Sequence, residues 1–402
     1  MTTAVFTDAD LATSLPSLAK YFRPMTVPAP EALAHVQQLC DLSDPFVTGE
    51  HIDALFTAAM REINTWHIDR SPLYRSLWNS AGEPAVRSVQ DLHRLPFVHV
   101  NLFKRHALGS IPVPDIALRL TSSGTGGERT EIGFDTWSIG SAQRMDAWTI
   151  KALGLIDTDR PANYLVCGYE PDPRLTVGAA HGLNELCDFS PVASAVHALR
   201  NTGDGHEFSP MGSVDALVDF ASRDQPVRIV GFPAFVHAVL ERMRTMGIPP
   251  LHLPEGSLVL TGGGWKGHAD RAVGKPAFRE AISAQLGIPD DRIRDCYGSV
   301  EHCLPYIECA DHHFHVPVWS RCIVRDVRTL EPLPYGRPGY LQFIAPSITA
   351  LPAHSILMAD LGTLHEPGSC AIGTPWFEVH GRAGVRRNRS CAVAAADLLE
   401  NQ

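Results

Sequence analysis

Nowhere in the 402-residue chain does an apolar run approach the roughly 18 residues that a membrane-spanning helix needs, so the sequence offers no membrane span. The opening Met1-Thr-Thr-Ala-Val-Phe-Thr-Asp8 lacks the basic-then-apolar order of a secretory signal, and a cytoplasmic location is expected. Positive charge is in short supply: 34 Lys plus Arg stand against 44 Asp plus Glu, a formal net charge of -10. No overall positive field gathers nucleic acid, and a small-molecule partner is expected instead. An even cysteine framework is also missing. The nine cysteines are an odd number spread over a long chain, which fits a reducing compartment and small core residues better than disulfides. There is no internal repeat and no low-complexity tract. What is there is 45% hydrophobic, enough to bury a large core in one α/β domain or two to three smaller ones.

From Asp10 to about Ala81 the pattern is mostly helical, as in Ile52-Asp-Ala-Leu-Phe-Thr-Ala-Ala-Met-Arg-Glu-Ile63, where apolar residues recur three and four apart. Beyond it, short β-prone runs (Tyr164–Cys167, Val227–Val230, Ser257–Thr261) alternate with helix-like stretches at Phe235–Met246 and Ala277–Leu286. Such alternation predicts an α/β fold with a helix-covered, mostly parallel sheet. After about Cys309 the texture turns extended, with Pro and Gly turns around Cys322–Asp326 and Pro338–Ile344, and a smaller β-rich subdomain is expected. The divisions implied are a helical region at 1–90, a main domain at 91–380 and a short hinge and tail at 381–402.

Thr121-Ser122-Ser123-Gly124-Thr125-Gly126-Gly127-Glu128-Arg129-Thr130 forms a hydroxyl- and glycine-rich loop between the β-prone runs Ile116–Leu120 and Glu131–Phe134. Glycines let backbone N–H groups turn toward an anion, and Ser/Thr hydroxyls add donors that reorient with it. The loop lacks the Gly-Lys-Ser/Thr of the usual nucleotide hydrolases and is no Gly-x-Gly-x-x-Gly opening a helix. On composition alone it also reads as a flexible surface loop.

Four further segments favour the phosphate reading. Leu258-Val-Leu-Thr-Gly262-Gly263-Gly264 ends a strand in three glycines, where a flat base could lie against bare backbone. Asp295-Cys-Tyr297-Gly298-Ser299-Val-Glu301 supplies a ring to stack on a purine and a carboxylate, Glu301, to hold Mg²⁺. Asp360 precedes what reads as a Leu-Gly turn and could accept from both ribose hydroxyls, and Gly381-Arg382 reads as a hinge with a cation for phosphate or ribose.

In this order the segments resemble the adenylate-forming enzymes, the acyl-CoA synthetase and luciferase-like superfamily. Within it the chain looks most similar to the acyl-protein synthetase (LuxE) family, the ATP-dependent component of fatty-acid reductase complexes. The supporting marks are Val100-Asn-Leu-Phe-Lys104, Gly263-Gly-Trp-Lys266, Glu308-Cys309 with His313-x-His315, and a cysteine near the C-terminus. The resemblance implies ATP and Mg²⁺, a carboxylic and specifically long-chain fatty acid substrate, an acyl-adenylate intermediate, and transfer of the acyl group to Cys391 and on to an acyl-reductase or acyl-carrier partner. It also places Gly168-Tyr-Glu170 and Val177–Gly182, with His181, along the acyl pocket, where Phe232 and Trp265 offer apolar surface. Arg386, Arg387 and Arg389 beside Cys391 would favour its thiolate.

Two departures stand out. Only about twenty residues follow Arg382, so the mobile C-terminal domain of the superfamily is expected to be largely absent and its adenylation lysine has no counterpart. The loop also carries Gly126 and Arg129 where relatives often place Thr and Lys, which leaves Arg129 to pair with phosphate charge. Two rival readings stay open: a ligase that passes the adenylate to coenzyme A, a carrier thiol or an amine, and a nucleotide-binding subunit without chemistry. Cys303, Cys309, His312, His313 and His315 are crowded enough to suggest zinc, yet fit no common finger spacing. The favoured reading has His313 and His315 on a strand beside the nucleotide and the cysteines as packing residues.

Overall fold

Short β-prone runs separated by helices of about ten residues pair most readily as parallel strands through crossovers, and the chain does so. The structure, a computed structural model, describes residues 8–104, 106, 108–121, 131–172, 178–265 and 271–383. In chain order its strands are β1 (Val98–His99), β2 (Leu118–Thr121), β3 (Glu131–Phe134), β4 (Ala162–Tyr169), β5 (Val192–Asn201), β6 (His206–Phe208), β7 (Val227–Gly231), β8 (Leu258–Gly262), β9 (Ile293–Tyr297), β10 (Tyr306–Ile307), β11 (Phe314–His315), β12 (Arg321–Arg325), β13 (Pro338–Ile344), β14 (Ser355–His365) and β15 (Trp376–Arg382).

The larger sheet has the order β10-β9-β8-β7-β4-β5-β6. Its five central strands run parallel, and the edge strands β6 and β10 are antiparallel to their neighbours. Every position of β4, β7 and β8 is buried, the signature of strands covered on both faces. Helices Pro210–Ala221, Pro233–Thr245 and Lys275–Leu286 supply that cover through Leu217, Phe220, Phe235, Val239 and Ile282. Two of them start with a proline at their first helical position, and Lys275–Leu286 stops at Gly287 in the left-handed conformation.

The second sheet has the order β11-β15-β14-β13-β12 and is antiparallel, with β1 added parallel to the start of β14. The helix Glu50–Arg70 lays Phe56, Met60 and Ile63 into a second apolar cluster, at the three-and-four spacing read from its sequence. It is tied across to the second sheet: Trp66 Nε1 donates to Thr349 O in the β13–β14 connection at 2.9 Å, and Arg321 at the start of β12 pairs with Asp53 at 2.7 Å. Asp135 caps the helix Thr136–Ala152 by accepting from Ser138 N at 2.7 Å and also accepts from Thr349 Oγ1, so one carboxylate joins that helix to the β13–β14 connection. Among the described residues no helix is long and apolar enough to cross a membrane.

The strand and helix expectations hold, with a shift for Ile116–Leu120, whose strand runs from Leu118 to Thr121. Two local readings are corrected. Asp360-Leu361-Gly362 is no turn but the interior of β14, and its glycine answers to strand packing: a Cβ on Gly362 would stand 2.3 Å from Glu378 O. Gly381 and Arg382, read as a hinge, are instead the last residues of β15, paired with Leu361 and Asp360.

Candidate active site

An open parallel sheet leaves its crevice at the carboxyl ends of its strands, and of the residues singled out by sequence Gly262–Gly264, Tyr297 and Glu301 lie there, while Asp360 and Arg382 come from the second sheet. β8 ends at Gly262, whose register partner is Cys296, the residue before Tyr297 on β9. A Cβ on Gly262 would lie 3.2 Å from Cys296 O. Gly263 and Gly264 follow with φ of 79° and 66°, and a Cβ on Gly263 would sit 3.0 Å from the Phe232 ring. The three glycines thus leave bare backbone beside β9 and against Phe232. Phe232 itself is fully buried, edge-on to Tyr169 with centroids 6.0 Å apart. Trp265 turns to the covering helices, packing edge-on to His237 and Phe278.

Tyr297, Asp360 and Arg382 come from different strands and meet. The Tyr297 hydroxyl donates to Asp360 Oδ2 at 3.1 Å, and Arg382 Nε lies 3.5 Å from Asp360 Oδ1. The Asp360–Arg382 pairing is direct strand register, and the register shifts just beyond it, between Leu361 and Gly362. A bulge of this kind bends the strand and re-aims its last side chains. Asp360 is buried, and burial followed by the Asp360 charge holds the Tyr297 hydroxyl far above its ordinary pKa, so it stays a donor. The half-buried Tyr297 ring is packed by Phe314, Phe343, Tyr306 and Phe377.

Glu301 sits in the turn that follows β9. Ser299 Oγ donates to Glu301 Oε2 at 2.7 Å and accepts from Glu301 N at 3.2 Å, while Cys303 N donates to Ser299 O at 2.8 Å. Gly298 links this turn to Tyr297. A buried carboxylate beside a hydroxyl is a hard oxygen pair, and Mg²⁺ takes one or two carboxylates and completes its shell with water and phosphate, so these residues fit that ion.

Beneath β9 lies a charge network in which Asp295 and Glu308, both in segments quoted above, meet Lys275, which the sequence did not single out. Lys275 Nζ is 2.7 Å from Asp295 Oδ2 and 2.8 Å from Glu308 Oε1, and Glu308 Oε2 accepts from Asp295 N at 2.8 Å. It ties the helix Lys275–Leu286 to β9 and β10, two residues before Tyr297. Asp146, also unmarked, has its carboxyl pushed up to about 8 by burial and then by the nearby Glu185. No spacing motif announces Lys275 or Asp146.

Thr121 ends β2 opposite Glu131. Ser122, Ser123, Gly124, Thr125, Gly126, Gly127 and Arg129 lie outside the described residues, as does Cys391. His181 falls in the helix Gly178–Glu185. The five crowded cysteines and histidines separate: His312 pairs with Asp290 at 2.7 Å, Cys303 packs beside the aromatic cluster, and Cys309, His313 and His315 meet Cys370. A cleft of about 420 Å³ between Thr26, Pro28 and Asp135–Trp137 shares no lining residue with the Tyr297–Asp360 group.

The family described as acyl-protein synthetase, LuxE, matches residues 32–399. Among curated proteins, the long-chain-fatty-acid–luciferin-component ligase of Vibrio harveyi is 24% identical over 83% of this chain and 85% of its own length. The ligase of the same description from Aliivibrio fischeri is 25% identical over 85% and 88%. A phenylacetate-coenzyme A ligase of Thermus thermophilus is 24% identical over 80% of this chain and 68% of its own. Among solved structures, a 2-hydroxyisobutyryl-CoA ligase in complex with 2-HIB-AMP and CoA aligns with TM-score 0.60 at 16% identity, over 84% of this chain and 69% of that one. The fold is therefore that of the adenylate-forming ligases.

Proposed function

Because the chain belongs to the acyl-protein synthetase (LuxE) family and is an ATP-dependent, acyl-adenylate-forming ligase, we propose that it activates a long-chain fatty acid and hands the acyl group to Cys391 and then to a partner protein. The observation that carries this reading is the meeting of Tyr297, Asp360 and Arg382 beside the bare backbone of Gly262–Gly264. An ionised carboxylate has about four acceptor sites, so Asp360 keeps capacity for both ribose hydroxyls while holding Tyr297 and Arg382. The half-buried Tyr297 and the glycine strand end would offer flat surfaces for adenine. Ser122–Gly127 and Arg129 are assigned to the phosphates, and Phe232, Trp265 and His181 to the acyl side.

In the first half-reaction a carboxylate oxygen attacks the α-phosphorus of ATP. A C(O)–O–P bond forms, the bond to the β-phosphate breaks, and pyrophosphate leaves. No general base is needed, because the acid is already ionised. Glu301, oriented by Ser299, would hold Mg²⁺, which when bound neutralises charge on the phosphate oxygens. In the second half-reaction the Cys391 thiolate attacks the acyl carbon and AMP leaves, giving a thioester that a partner thiol, the reductase component in this reading, takes by exchange. A cytoplasmic setting accords with reduced thiols.

The test combines pyrophosphate exchange across fatty, aryl and amino acids with intact-mass measurement after ATP and the best acid. Exchange is expected with fatty acids, together with a hydroxylamine-labile adduct absent from Cys391→Ala. Exchange without an adduct, and acyl-CoA formation when coenzyme A is added, would replace this reading with the activity named for the phenylacetate-coenzyme A ligases that the chain also resembles. No exchange with any acid would leave only a nucleotide-binding subunit.

A further inference from the structure

Away from the nucleotide residues, four soft donors converge. Cys309, His313, His315 and Cys370 each offer one ligand atom, and all four atoms lie within 4.8 Å of one another. Local structure explains three of them. Cys309 and His313 are brought side by side by a tight turn in which Cys309 N donates to His313 O and His312 N donates to Cys309 O, both at 3.0 Å. His312 takes the left-handed conformation, φ 61°, that closes it. From there the chain is extended, so residues two apart share a side. His313 and His315 face Cys309, while Phe314 between them packs into the core on Phe377, centroids 5.5 Å apart. The fourth donor arrives on the loop before β15.

The surroundings hold the rings in place. His315 Nδ1 faces the Thr374 carbonyl at 3.2 Å, and a carbonyl only accepts, so Nδ1 carries the hydrogen. The lone pair is then on Nε2, which points at Cys370 Sγ 3.0 Å away. A backbone carbonyl on the distal nitrogen is the support that metal-bound histidines usually have. His313 is stacked on Trp376 at 3.7 Å, whose ring also stacks on His365 at 4.0 Å.

We propose that Cys309, His313, His315 and Cys370 bind one zinc ion in a closed, structural site. Two thiolates and two imidazoles are a zinc donor set, and four protein ligands fill a tetrahedral shell and leave no open position for catalysis. Bonds of about 2.0–2.3 Å put tetrahedral ligands roughly 3.3–3.8 Å apart, so the cluster closes on the ion with shifts of about 1 Å. Binding releases the two thiol protons. The hard Mg²⁺ prefers oxygen and belongs elsewhere. The ion clips the Cys309–His315 segment to the loop that leads into β15, and β15 ends at Arg382 opposite Asp360. It thereby braces the strand that carries Arg382 of the nucleotide group, and the proposal stands independently of which acid or acceptor the enzyme uses.

The full chain, purified reduced and without chelator, is expected to hold about one zinc by elemental analysis, with Cys309→Ser/Cys370→Ser below about 0.1 and a variant of the exposed His51, outside the cluster, His51→Ala, unchanged. Removing the metal should lower the melting temperature, and Zn²⁺ but not Mg²⁺ should restore it. Should the double variant fail to fold, Co²⁺ added to the metal-free wild-type chain decides instead: a tetrahedral spectrum with thiolate-to-metal charge transfer is expected. A chain that binds neither zinc nor Co²⁺ in this way, or one whose Cys309 and Cys370 are found joined as a disulfide in the purified protein, overturns the proposal.

Discussion

The two sheets are built on different principles. In the parallel sheet, β4, β7 and β8 are buried along their whole length, mostly through apolar side chains with Asn163, Arg228 and Thr261 among them, and a Cβ on Gly231, φ 142°, would stand 2.3 Å from Cys167 O on the neighbouring strand. The antiparallel sheet carries buried polar side chains across its strands. Arg325 on β12 donates to Gln342 on β13, which donates to Ser355 on β14 at 3.0 Å, and the same guanidinium reaches the carbonyls of Leu330 and His93. The difference shows why the site sits where the sheets meet. Bare backbone for a flat ligand comes from the first, and charge in fixed register comes from the second.

The sharpest way to break the comparison is Gly231→Ala, expected to cost about 3 kcal/mol or more because backbone cannot yield as a side chain does. Gly336→Ala, φ 74° with open space around it, should cost only about 1 kcal/mol. Urea midpoints at unchanged slope measure both. On the antiparallel side Arg325→Met is expected to cost about 3 kcal/mol by leaving buried acceptors without donors, again by urea midpoint. At the junction, Asp360→Asn, which keeps an acceptor for the Tyr297 hydroxyl, should lower pyrophosphate exchange roughly 100-fold, about 2.7 kcal/mol of transition-state stabilisation, while its urea midpoint falls by less than that of Arg325→Met.

A further effect is set by pH. His67 and His354 are fully buried and stacked 4.8 Å apart between the helix Glu50–Arg70 and the second sheet. Burial lowers His354 to about 3 and His67 well below its usual value. A depressed folded-state pKa means the unfolded chain binds the proton first, so this stability is complete above about 6.5 and falls as the pH drops toward 3. The slope is up to about 1.4 kcal/mol per pH unit for each histidine. Denaturation midpoints between pH 7 and 4 should show it, and His354→Gln should flatten it. At the junction the smaller effect is expected for Tyr297→Phe, which keeps the packed ring and loses one hydrogen bond to a carboxylate. Pyrophosphate exchange should fall about tenfold, or roughly 1.4 kcal/mol.

Local signals made much of the fold legible. β4, β7 and β8 announced themselves as β-prone runs, and the helices between them by spacing, because both depend on neighbours a few residues away. Tyr297, Glu301 and Asp360 were marked by composition in their own segments. Misread were the places where a glycine answers to another strand. Gly362 looked like a turn residue and is the interior of β14, since Glu378 O leaves no room for a Cβ. Gly381 looked like a hinge and is a paired strand end, because the partner that holds it, Leu361, is twenty residues upstream. Lys275 gave no sign at all, as a lone lysine at a helix start says nothing of the two acids it meets.

By itself, then, the chain's sequence determined the order of strands and helices, the family and its acyl-adenylate chemistry, through patterns and motifs that are local. Only the tertiary structure decided that Asp360 stands between Tyr297 and Arg382, and that Cys370 joins Cys309, His313 and His315. Both are matters of register between strands and loops distant in sequence. That register is set by packing against a common core, which no short window of residues contains.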